Sequence, residues 1–171
     1  MAEYEPAYEK TILNEGGYKL HNVPGDTGGM TYAGITRKWN PSWLGWEIID
    51  RGDMGNSQLT QMVRDFYKIN FWDKVKGDDL ARQETAETIF DFAVNTGLRV
   101  ASKLAQLAVG ATPDGAIGPI TVQALNAEDA ETFEMKFAIA KVARYASICN
   151  NDRSQNKFLL GWINRTLEVM A

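Results

Sequence analysis

The chain has a single cysteine, Cys149, and a single histidine, His21. One thiol excludes an internal disulfide, and one thiol with one imidazole cannot furnish a zinc cluster. Cys149 reads as a small buried residue on a helix and His21 as a solvated loop residue. Basic residues are outnumbered, 18 Lys and Arg against 22 Asp and Glu, for a net charge of −4 and a pI near 5.1. Nucleic-acid binding would show as a basic face, so no nucleic-acid partner is expected. The same balance gives no long-range pull on an anionic polymer, which would have to be held by local contacts. No run approaches the roughly 18 apolar residues of a membrane span. The opening MAEYEPAYEK has no apolar core, so no secretory signal peptide is expected.

What is present suits one domain, or one domain with a closely packed second lobe: 171 residues, 44% apolar, with five Trp, six Tyr and seven Phe. The stretch on which the rest turns is Glu15 to Thr36, EGGYKLHNVPGDTGGMTYAGIT, with six glycines in 22 positions. It has no helical period, and glycines at that density imply unusual backbone angles or close backbone approach. It holds two carboxylates, Glu15 and Asp26, and three hydroxyls, Thr27, Thr31 and Thr36. Before it, Tyr4, Tyr8, Ile12 and Leu13 fall at helical spacing, and Gly16-Gly17 is a helix stop. A first helix over Glu5 to Asn14 therefore sets Glu15 at its carbonyl end. The helix dipole there disfavours an ionised carboxylate, as a general acid requires. Without further information, a plain solvated glutamate before a glycine stop fits the same spacing.

Beyond this stretch, Met30 to Ile35 could form a short strand with Tyr32 on one face. Thr36 to Trp39 could begin a helix. Trp39, Trp43 and Trp46 are either core or a sugar-stacking platform. Asn56-Ser57 caps a helix over Gln58 to Phe71, and Lys76 to Asp79 is a turn. The next helix starts near Leu80 and carries Asp91 and Asn95 on one face. Gly97 interrupts the pattern and Gly110 closes its continuation. Pro113-Asp114-Gly115 is a tight turn, and Gly118-Pro119 is a helix start. Asn126 with Asp129 resembles a capping box for a helix ending near Asn150, and a last helix spans Ser154 to Met170. Five or six helices with one weak strand region make a mainly α domain with a small irregular β lobe near its start.

The opening TILNEGGYKLHNVPGDTGGMTYAGIT resembles the N-terminal motif of glycoside hydrolase family 108, lysozyme-like N-acetylmuramidases of phages, prophages and bacteria. The later DGAIGPITVQALN is similar to the predicted peptidoglycan-binding region that follows in that family. FDFAVNTG and FLLGWINRTLE look like family segments too, so the resemblance covers nearly the whole chain. It implies a mainly α, α+β lysozyme-like fold. A catalytic region would span 1–95, and a predicted peptidoglycan-binding region with the C-terminal helices would span 96–171, packed on the first as one globular unit. By likeness to the Glu–Asp–Thr pattern of phage lysozymes, Glu15 would be the general acid. Asp26 would be the second carboxylate, and Thr31 the hydroxyl that holds water, with Thr36 its rival. Arg165, on the last helix with Trp162, would pair with Glu15 and orient it.

The implied activity is a peptidoglycan hydrolase cutting the β-1,4 bond between N-acetylmuramic acid and N-acetylglucosamine. One acid protonates the leaving oxygen and one carboxylate steers water or stabilises the oxocarbenium-like centre, without metal or organic cofactor. Tyr18, Tyr32, Trp72 and Asn95 are candidate sugar contacts. Asp114, Gly115, Gly118 and Pro119 are candidates for wall binding. The expected partner is the peptidoglycan glycan strand, with a monomer favoured. A muramidase of this kind would be made in the cytoplasm and act on the wall as an endolysin after holin-type or dedicated release. A lytic transglycosylase, and a non-catalytic wall-binding or secretion-accessory protein, are the alternatives.

Overall fold

The structure, a computed structural model, describes residues 1–21 and 29–168. It divides into two compact units, Tyr4–Asn70 and Phe71–Ala171 with Met1–Glu3. Among the described residues there are eight α-helices and one three-stranded antiparallel sheet, a mainly α lysozyme-like fold with a small β element. The helix count exceeds the five or six expected because a six-residue helix, Gly45–Asp50, is too short to show a period, and because a glycine splits one long helical pattern in two.

In the first unit, α1 (Tyr4–Asn14) leads into β1 (Leu20–His21), β2 (Thr31–Tyr32) and β3 (Ile35–Thr36), then α2 (Gly45–Asp50) and α3 (Ser57–Tyr67). Aromatic rings knit the helices together. Tyr8 of α1 meets Tyr67 of α3 edge-on at 5.9 Å, Tyr67 meets Phe66 at 5.8 Å, and Trp43 meets Trp46 at 5.2 Å. Trp46 is core and donates its indole N–H to the Asn40 carbonyl, while Trp39 is exposed. The three tryptophans thus form no common platform. Asn56 caps α3 as expected, accepting from the Gln58 N–H at 2.8 Å. α3 ends at Tyr67 rather than Phe71, where the chain widens into a π-turn, Lys68–Trp72. Thr36 ends β3 and residues 37–39 form a turn, not a helix start.

In the second unit, α4 (Gln83–Thr96), α5 (Leu98–Ala108), α6 (Pro119–Ala127), α7 (Ala130–Asn151) and α8 (Asn156–Glu168) pack around Trp72, Phe90, Phe92, Phe133 and Phe137. α4 starts three residues later than expected. Leu80 is spent ending a short 3₁₀ turn in extended conformation, with its carbonyl taken by the Ala2 N–H at 2.7 Å. Gly97, at φ +90°, ends α4 and begins α5 in a backbone region that side chains rarely adopt. The expected capping box is also corrected. Asp129 caps α7 by accepting from Thr132 N–H, whereas the Asn126 amide bridges the Ala81 N–H and the Asp79 carbonyl. No described helix is long and apolar enough to cross a membrane.

Candidate active site

Glu15 is held by its backbone. The Gly16 N–H returns to the Leu13 carbonyl at 3.1 Å and the Gly17 N–H to the Ile12 carbonyl at 2.9 Å, the paired bonds of a Schellman motif. In that frame Glu15 is the C-cap and Gly16 the following residue, at φ +89°. The glycine lets the chain reverse, and the reversal leaves the Glu15 side chain half-buried at the end of α1.

The segment Met30 to Ile35 is not one strand but a hairpin turning at Ala33-Gly34. Both turn residues have positive φ, 48° and 77°, the type I′ signature whose twist matches paired strands. The register puts His21 opposite Thr31 and Thr31 opposite Thr36. These three polar side chains therefore form one row, and the rival hydroxyls Thr31 and Thr36 are direct neighbours on it. Tyr32 and Ile35 point the other way into the core. A buried Tyr32 offers no ring face to a sugar, which corrects its expected role.

Gly34 is where hairpin, α1 and α3 converge. A Cβ there would overlap the Tyr67 hydroxyl and would lie 3.5 Å from Glu15 Oε2. The Glu15 carboxylate thus rests against the hairpin turn, in van der Waals reach of a position that must be glycine. Tyr67, 2% exposed, donates its hydroxyl to the Ala33 carbonyl at 2.8 Å. Burial, and secondly the Glu15 charge, push the Tyr67 phenol far above its usual range, so it stays a neutral donor. The sequence showed Tyr67 only as one more inward-facing aromatic. Its being the sole hydroxyl among the inward-facing residues of α3 was the available signal.

The other expected site residues divide. Asp26 lies outside the described residues. Tyr18 is 39% exposed, with its hydroxyl 2.7 Å from that of Tyr8. Trp72 is 0% exposed, packed on Phe90 with its indole donating to Asp78, so it is a core residue and not a sugar contact. Arg165 belongs to the second unit, where Nη2 lies 3.2 Å from Asp91 Oδ2. Asn95 is exposed and turns its amide oxygen to the same guanidinium. Asp91 was noted as a face-mate of Asn95 but given no role. It is the group that holds Arg165.

The DGAIGP segment owes its shape to a residue that the sequence reading passed over. Gln106, 1% exposed on α5, donates to Asp114 Oδ1, the Ala116 carbonyl and Thr121 Oγ1, and accepts from the Gly115 N–H. The Gln106 bond, then the Ala116 N–H, hold the Asp114 carboxyl below its usual range. Gly115 sits at φ +87° with no room for a Cβ against Arg99. Asp114 and Gly115 are thus committed to the turn itself. Gly118 and Pro119 line a surface depression of about 450 Å³ with Lys76, Asp79, Val122 and Gln123. Gln106→Ala removes three bonds to the turn and one to Thr121 of α6, and should lower stability by about 2 kcal/mol in denaturant titration, with the Gly115 amide losing exchange protection. A variant as stable as wild type would mean that the turn holds itself.

Two sequence families account for the chain. Residues 8–97 match the family described as glycosyl hydrolase 108, and residues 100–167 match one described as a predicted peptidoglycan domain. The structure of SagA from Brucella abortus is similar at 29% identity, with a TM-score of 0.72 over 97% of this chain and 90% of that one. No curated protein sequence gives a significant match.

Proposed function

The chain belongs to the glycosyl hydrolase 108 family, and on that premise we propose that it is an N-acetylmuramidase in which Glu15 is the general acid. It is a glycoside hydrolase whose second region is of a peptidoglycan type. The observation that carries the muramidase reading is the seat of Glu15. Its carboxylate stands at the end of a helix that Gly16 and Gly17 N–H close through the backbone, and it lies against the Ala33-Gly34 turn.

In the proposed reaction, Glu15 gives its proton to the glycosidic oxygen between N-acetylmuramic acid and N-acetylglucosamine. As that bond breaks, positive charge grows at the anomeric carbon, and Asp26 is assigned to stabilise it or to steer water. Thr31 and Thr36, side by side across the hairpin, are suited to hold that water between two hydroxyls. Within the second unit, Arg165 forms a polar cluster with Asp91 and Asn95, as a cation whose direction is fixed by its carboxylate partner. Tyr18 remains the aromatic candidate with exposed ring surface.

Product analysis on purified peptidoglycan tests the reading. New reducing N-acetylmuramic acid ends are expected. Anhydro-muramyl ends would assign a lytic transglycosylase, and no new ends would leave a wall-binding or secretion-accessory protein.

A further inference from the structure

Resting on Glu15 as the acid, we propose that Tyr67 is the positioning residue of this site: its hydroxyl pins the Ala33-Gly34 turn beneath the Glu15 carboxylate. Four observations carry this. Ala33 has φ 48°, a conformation that an L-residue rarely adopts and that persists only where its surroundings enforce it. Its N–H is taken by the Lys19 carbonyl at 3.2 Å and its own carbonyl by Tyr67, so the turn is held from both sides. The Tyr67 ring also packs on Tyr8, seven residues before Glu15 on α1, so one side chain touches both the helix that ends at the acid and the turn on which the acid rests. Finally, Tyr67 Oη and Glu15 Oε2 both lie within 3.5 Å of one point, where a Cβ on Gly34 would sit, so the hydroxyl and the carboxylate border the same turn residue.

The role is distinct from core filling. The ring packs as a phenylalanine would, and only the hydroxyl reaches the turn. Because the phenol ionises far above neutrality, it donates throughout any pH range in which a carboxylic acid works. A general acid misplaced by about 1 Å loses much of its effect while substrate binding, made elsewhere along the glycan, is retained. The signature is therefore a fall in kcat without a matching change in KM.

The test uses the full chain with a defined glycan oligomer of alternating N-acetylglucosamine and N-acetylmuramic acid. Tyr67→Phe should lower kcat about tenfold with KM within about twofold. Gly34→Ala should lower kcat about a hundredfold, because the new methyl meets the Tyr67 hydroxyl. The double variant removes that hydroxyl and should recover about fivefold or more over Gly34→Ala alone, while the kcat-against-KM split of Tyr67→Phe separates positioning from packing. Wild-type kcat in Tyr67→Phe, or a double variant no better than Gly34→Ala, overturns the proposal. If Tyr67→Phe does not fold, Gly34→Ala alone decides it, since unchanged kcat there is equally fatal. Glu15→Gln in the same series separates the two claims. Activity retained in it ends the acid assignment itself, whereas its loss beside a normal Tyr67→Phe ends only the positioning role.

Discussion

Glu15→Gln is expected to lower kcat on peptidoglycan by about 10²–10⁴-fold, with the melting temperature unchanged. The size follows from what the amide cannot do: it has the shape of the acid but no proton to give to a leaving oxygen. The fold is retained because the cap that closes α1 is made by the backbone. The bonds that end α1 run from Gly16 and Gly17 N–H to Leu13 and Ile12 carbonyls, and all survive the substitution. An amide of equal length also keeps the van der Waals contact with the Gly34 turn. Binding along the glycan is made by other groups, so KM should move little and the loss should lie in the chemical step. Turbidity clearing of wall preparations gives the first reading, and single-turnover kinetics on a defined oligomer gives the partition. Clearing at the wild-type rate by a folded Glu15→Gln would remove this residue from the chemistry.

Features written in neighbouring residues were legible before the structure. The Gly16-Gly17 stop placed Glu15 at a helix end, Asn56 announced α3, and Gly118-Pro119 announced α6, because each signal lies within one turn of the element it governs. The hairpin at residues 33 and 34 was not legible in the same way. Its first turn residue is alanine, which carries no preference for positive φ, and what holds it there is a hydroxyl 34 residues away. Asn126 failed for a similar reason. A side chain three residues before Asp129 looked like half of a local box, but it bonds backbone 45 and 47 residues upstream. Trp72 and Tyr32 looked like sugar-stacking rings because composition does not say which aromatic is covered. Gln106 was hidden by its place among small apolar residues on α5, where a buried amide is visible only through the loop it organises. Local chemistry thus exposed the helix end that carries Glu15, and long-range polar bonds concealed the groups that set its surroundings.

The second large effect concerns stability and comes from Lys141, a lysine on α7 that is only 5% exposed. Its ammonium lies over the faces of Phe92 and Phe137, 4.9 and 4.5 Å from the ring centroids, and reaches Thr88 Oγ1 at 3.5 Å. Burial lowers its pKa to about 8, against the opposing pull of Asp91 on α4 and Glu134 on α7, while Arg165 on α8 lowers it further. A depression from 10.5 to about 8 means that folding a protonated lysine here costs about 3 kcal/mol. Below pH 8 both folded and unfolded chains hold the proton and the full cost applies. Between about pH 8 and 10 the unfolded chain binds more protons than the folded one, so stability rises with pH. Near pH 10 the trend reverses, because buried Tyr4, Tyr8 and Tyr67 stay protonated in the fold while their unfolded counterparts ionise. Lys141→Met keeps the length, removes the charge and retains contact with both rings. It should raise stability by about 1–3 kcal/mol at pH 7, with the advantage shrinking as pH climbs from 8 to 9.5. Denaturant titrations of both proteins at pH 7, 8, 9 and 9.5 measure this directly. An advantage that stays constant with pH would show that the proton on Lys141 is not its source. A destabilised Lys141→Met at pH 7 would show that the ammonium is worth more to Asp91, the partner of Arg165, than its burial costs.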